Sequence, residues 1–173
     1  MKKTVLFMLF AISVLAFGRA EACTGITLRT TKGQIVTART IEWAYTPLNG
    51  MYNVVPRGYT QRSFLPDGLK EGMEFTSRYG YVGIAVEQAE FVMEGINEAG
   101  LSAGLFYFPD YGEYEDYDRT KKNKTISDFQ LVSWILANFK TVDEVKTAMK
   151  DIHIASIDRR SSTVHWRVIE ESG

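Results

Sequence analysis

A chain of 173 residues suits one domain, and with 45% hydrophobic and 24% charged residues it has the make-up of a globular protein, not a disordered or fibrous one. A formal net charge of −1, with no basic patch, argues against nucleic acid as a partner. The single cysteine leaves no internal disulfide, and the two histidines, His153 and His165, belong to no metal-spaced cluster, so no metal or cofactor is expected.

Residues 1–22 have the three parts of a secretory signal. Lys2 and Lys3 form the charged region, and Val5 to Phe17 is an apolar run broken only by Ser13. Gly18-Arg19-Ala20-Glu21-Ala22 then ends in the small-x-small pattern that a signal peptidase accepts. The apolar run is shorter than the ~18 residues of a spanning helix. We therefore expect export, cleavage after Ala22 and no stable membrane insertion after processing. Removal of residues 1–22 leaves 17 basic and 20 acidic residues, a net charge of about −3.

Cys23 follows the expected cleavage site directly, and three readings of it stand. It could be diacylated as a lipoprotein terminus, although Glu21 fits that signal poorly. It could be a buried structural thiol, behaving as a small hydrophobe. Or cleavage could leave a thiol and a free α-amine on one residue. The amine, with a reference pKa of roughly 7.7–8.0, is partly unprotonated at neutral pH and can accept the thiol proton. A nucleophile then carries its own base, and no histidine is required.

Thr24 to Thr30 alternates apolar and polar residues as a half-buried strand does, and Thr31-Lys32-Gly33-Gln34 reads as a turn. With Ile35 to Ile41 as the returning strand, residues 24–41 form a hairpin that brings Arg39, Glu42 or both back towards Cys23. Further strands are expected at Tyr52 to Val55, Tyr81 to Val86, Phe91 to Ile96 and Leu101 to Phe108, with Asn97-Glu98-Ala99-Gly100 as a hairpin turn. Asp110 to Lys124 has no periodicity and reads as an exposed loop. Ser127 to Phe139 spaces Phe129, Val132, Ile135, Leu136 and Phe139 as one buried helical face. Thr141-Val142-Asp143-Glu144 is a capping box, opening a helix continued by Val145, Met149 and Ile152. Ser162 to Ile169 is a closing strand with Val164, Trp166 and Val168 on one face. Strands, a helical pair and a last strand make a layered α+β domain. The last strand expects a partner that little remaining sequence could supply, so the chain reads as the N-terminal part of a longer protein.

Several segments, in order, resemble the choloylglycine hydrolase and penicillin V acylase family. They are Cys23-Thr24-Gly25-Ile26, Ala38-Arg39-Thr40-Ile41-Glu42-Trp43, Val55-Pro56-Arg57-Gly58-Tyr59, Asn97-Glu98-Ala99-Gly100-Leu101 and Phe108-Pro109-Asp110-Tyr111, followed by Thr141 to Val145 and Val164-His165-Trp166. The resemblance implies an N-terminal-nucleophile αββα sandwich, incomplete in this chain, and hydrolysis of small-molecule amides such as conjugated bile acids or phenoxyacetyl penicillins. It makes Cys23 the nucleophile and Arg39 the cation beside it. Glu42 stands where the family usually has the Asp that bonds the α-amine. Tyr107 is the position whose main-chain N–H donates to the oxyanion. A bacterial periplasmic or secreted location and a homo-oligomer are further expectations. The family's second oxyanion donor, an Asn, and a second active-site arginine lie beyond residue 173. A truncated, inactive fragment is therefore the alternative to an active amidase.

Overall fold

The computed structural model describes residues 23–42, 47–108, 112–158 and 163–172. The signal segment 1–22 lies outside these residues, as do Trp43 and Pro109-Asp110-Tyr111 of the family-like motifs. The first elements of the described residues are a hairpin of β1 (Gly25–Arg29) and β2 (Ile35–Arg39), Gly25 opposite Arg39. Gly33 closes it at a φ of 82°, a conformation open to glycine at little cost.

Among the described residues the main sheet has five strands, in the order β11-β8-β7-β6-β3. They are β3 (Gly50–Val55), β6 (Tyr81–Val86), β7 (Val92–Asn97), β8 (Ser102–Tyr107) and β11 (Val164–Ile169), each antiparallel to its neighbours. Period-two alternation sends every second residue to one face. One face meets α1 (Leu131–Asn138), whose Leu131, Val132, Ile135, Leu136 and Ala137 are all buried. Gly95 lets this helix approach closely: a Cβ there would lie 2.6 Å from a Leu136 methyl. Val164, Trp166 and Val168 pack towards this core, as their alternation predicts.

Asn97 ties turn, sheet and helix together. Its amide donates to the carbonyls of Leu136 (2.9 Å) and Phe139 (2.7 Å), orphan acceptors at the end of α1. Its carbonyl accepts from the main-chain N–H groups of Ala99 and Leu101.

The structure differs from the expected elements in several places. Ser127 to Phe139 is not one α-helix: a 3-10 turn at Asp128–Gln130 precedes α1. The second helix, α2 (Val142–Ala148), gives way to a 3-10 turn at Met149–Asp151 and ends before Ile152. Its cap is the expected one at Thr141, whose Oγ1 accepts from Glu144 N–H, but the Glu144 carboxylate returns to the N–H of Lys140. Two small pairs escape the sequence pattern: β4 (Thr60–Arg62) with β5 (Glu74–Thr76), and the parallel pair β9 (Thr125–Ser127) with β10 (His153–Ala155). Within the expected loop, Tyr114 is tucked against the core, and its hydroxyl accepts from Val164 N–H.

The second face of the sheet is open. Tyr52, Val54, Val82, Ile84 and Ile96 are 91%, 74%, 49%, 39% and 48% exposed. With Thr37, Glu94 and Ser102 they line a broad apolar cleft of about 530 Å³ beside the β1–β2 hairpin.

Candidate active site

The hairpin sets Cys23 against the end of β8. Thr40 N–H donates to the Thr24 carbonyl and Thr24 N–H to Thr40 Oγ1, which continues the β1–β2 pairing to the residue after the cysteine. The main-chain N–H of Tyr107 points at the Cys23 sulfur, with N and Sγ 3.4 Å apart. The thiol is in turn 3.5 Å from the Glu42 carbonyl oxygen, to which it donates. Glu42 thus reaches Cys23 through its main chain.

Arg39 closes the other side of the thiol. Its side chain is 6% exposed, and burial holds its pKa below the usual arginine value, an effect opposed by Cys23 and then by Glu94. Arg39 Nη1 donates to the Met93 carbonyl at 2.9 Å, Nε donates to the Thr40 carbonyl, and Cζ lies 4.4 Å from the centroid of the Phe106 ring. A cation thus stands beside the sulfur. Thus Cys23, Arg39, Glu42 and Tyr107 all gather at the junction of the hairpin with β8.

Three further side chains share the site and were not legible as site residues. Glu94 on β7, opposite Gly104 of β8, forms an ion pair of 3.8 Å with Arg39 and one of 3.4 Å with Arg167 of β11. Burial raises its pKa, against the pull of Arg167 and Arg39. Arg167 Nη1 also donates to the Ile26 carbonyl of β1, and its Cζ lies 5.1 Å from the Phe106 centroid. His165 stacks on Phe106 at 5.4 Å, and burial followed by the charge of Arg39 lowers its pKa. The usable signal was alternation: His165 and Arg167 point away from the core face that carries Val164, Trp166 and Val168.

Among the described residues no group of three or more His, Cys, Asp or Glu side chains could hold a metal ion, and no helix is long and apolar enough to cross a membrane. The site gathers a thiol, a buried guanidinium and a main-chain donor around one point in space.

A family model described as linear amide C–N hydrolases, choloylglycine hydrolase family, matches residues 23–173, from the cysteine onwards. The chain belongs to this family. A bile salt hydrolase/transferase of Clostridium perfringens is 30% identical over 158 residues, covering 87% of this chain and 46% of that protein. A penicillin V acylase of Pectobacterium atrosepticum is 26% identical over 155 residues, covering 80% and 38%. Among solved structures, a penicillin V acylase from Agrobacterium tumefaciens superimposes with a TM-score of 0.68 at 26% identity, covering 86% of this chain and 44% of that one. A variant of the Clostridium perfringens conjugated bile acid hydrolase does so with a TM-score of 0.68 at 27% identity, covering 88% and 46%. The fold is thus the N-terminal-nucleophile hydrolase fold in part, and the chain spans less than half the length of these relatives.

Proposed function

We propose that this protein is an exported amidase whose mature N-terminal residue is Cys23, and that it hydrolyses the C–N bond of a linear amide. Conjugated bile salts are the first candidate substrates and phenoxyacetyl penicillins the second. The observation that carries this reading is the convergence of Tyr107 N–H and the Arg39 guanidinium on one thiol. Support for an amide substrate comes from the family, and bile salts rank first because the Clostridium perfringens relative matches at the higher identity.

Removal of residues 1–22 frees the α-amine of Cys23, which takes the thiol proton. Sγ then attacks the amide carbonyl carbon, and the carbonyl oxygen becomes an oxyanion. Tyr107 N–H donates to that oxygen, and Arg39 opposes the negative charge. Glu42 is assigned to hold the resulting ammonium. Collapse of the tetrahedral intermediate breaks the C–N bond, and the ammonium proton goes to the leaving nitrogen. Water, deprotonated by the same amine, hydrolyses the thioester and regenerates the thiol.

A second reading is favoured by the open sheet face and the share of the relatives spanned: these residues hold the nucleophile yet turn over no substrate alone. Loss of one oxyanion donor costs ~10²–10³ in rate. Intact mass and N-terminal sequencing of the exported protein, before and after alkylation, come first. A chain that starts at an unmodified Cys23 and releases glycine or taurine from conjugated bile acids supports the amidase. The same terminus with no release from bile acids or penicillin V supports the second reading. A terminus upstream of Cys23, or a lipid on it, rejects the mechanism.

A further inference from the structure

The two arginines around Phe106 pose an electrostatic problem. Arg39 and Arg167 lie over the same ring, at 4.4 and 5.1 Å from its centroid, and each lowers its cost there by meeting Glu94. The Glu94 side chain is only 18% exposed, so its charge is poorly screened by water. Its Oε1 accepts from Arg167 Nη2 and from Ser102 Oγ, while Oε2 makes no hydrogen bond and faces Arg39 across 3.8 Å. The space for this carboxylate is made by its cross-strand neighbour: a Cβ on Gly104 would sit 2.8 Å from Glu94 Cδ. Gly25 makes room on the other side, since a Cβ there would lie 2.7 Å from a Phe106 ring carbon and 2.6 Å from Arg167 Nη1.

We infer that Glu94 is a positioning residue, which acts on the Cys23 thiol through Arg39 and fastens the nucleophile hairpin to the sheet through Arg167. This rests on the reading of Cys23 as the reacting group. Without Glu94, two guanidinium groups share one ring with no carboxylate between them, and the cheaper arrangement moves one of them out to water. Arg167 is held by the Ile26 carbonyl, and Arg39 by the Met93 and Thr40 carbonyls, none of which carries a compensating charge. Displacing Arg39 removes the cation from beside the sulfur. As a bare anion near the thiol, Glu94 would act in the opposite sense, opposing a negative sulfur. The two roles therefore differ in sign. Among the described residues the charged and titratable groups around the thiol are Arg39 and Glu42 from the hairpin and its exit, Glu94 from β7, Tyr107 from β8, and His165 and Arg167 from β11.

The experiment uses the one cysteine of the chain as its own reporter. Iodoacetamide alkylation of Cys23 is followed by mass against pH, with no substrate needed, in the parent, E94A, R39M and the double variant. The expected result is alkylation slowed about threefold or more at pH 7 in E94A, with the profile moved to higher pH. That slowing should vanish or reverse in the R39M background. E94D, which keeps the charge one methylene shorter, should recover most of the parent rate. Equal slowing by E94A in both backgrounds, no slowing, or faster alkylation with Arg39 present would overturn the inference. Thermal unfolding checks each variant. Should E94A not fold, E94D and E94Q are compared in both backgrounds, and independence from Arg39 again overturns it. Failure of the amidase reading shows instead as absent bile-acid and penicillin turnover by the parent, which leaves the alkylation cycle readable.

Discussion

The main-chain N–H of Tyr107 and the sulfur of Cys23, 84 positions apart in the chain, stand 3.4 Å from each other. The contact depends on how closely β1 rests on β8, and Gly25 sets that distance, because Phe106 and Arg167 fill the space a side chain would need. Gly25→Ala is expected to lift the hairpin. Amide hydrogen exchange should show lost protection in β1 and β2, with β6 to β8 unchanged, since among the described residues these two strands pair with each other and with no other strand. Equal loss throughout the sheet would contradict this.

Asn97 satisfies two carbonyls at the end of α1 and two N–H groups in the β7–β8 turn, while itself only 4% exposed. Asn97→Ala strands these groups in the core, at about 1–3 kcal/mol for each one left buried without a partner. We expect a loss of about 3 kcal/mol or more in urea unfolding. A change under about 1 kcal/mol would mean that water replaces the amide.

Asp128 is fully buried, and burial raises its pKa to about 6, against the N–H groups of Ile157 and Phe129 and the Tyr114 hydroxyl that favour its charge. The folded state therefore holds a proton that the unfolded state, with an ordinary value of about 3.9, releases earlier. Stability contributed by neutral Asp128 is full below about pH 4 and is lost as pH rises through about 6. Asp128→Asn should raise stability near pH 7 by about 3 kcal/mol and by little at pH 4. Denaturant midpoints at both values test it, and a gain independent of pH would refute the ionisation argument.

The open sheet face should bind an environment-sensitive dye. Tyr52, Val54, Val82, Ile84 and Ile96 form one exposed apolar surface, larger than the scattered apolar residues of an ordinary monomer surface. We expect strong anilinonaphthalene sulfonate fluorescence from the folded chain, roughly halved in a V54T/V82T variant with an unchanged unfolding midpoint. Weak fluorescence from the folded parent would show that the face is covered in solution.

The parts of this protein readable without a structure are those whose causes are local or patterned. The β1–β2 hairpin follows from alternation around a glycine turn, the β7–β8 hairpin from Asn97 to Gly100, and the start of α2 from Thr141 and Glu144, because each involves residues within a few positions of one another. The four candidate site residues were named from their resemblance to family motifs, and the fold brings them to one place. Other features carried no such mark. Strands β4, β5, β9 and β10 are three residues each, too short for a period to emerge, and β9 meets β10 only after the two helices intervene. Glu94 reads in sequence as one carboxylate among 21 acidic residues. Only the register of β7, β8 and β11 sets it opposite Gly104 and between two arginines from distant strands. Which face each strand presents is written in its alternation; which charges meet on that face is decided by strand order, which long-range pairing alone determines.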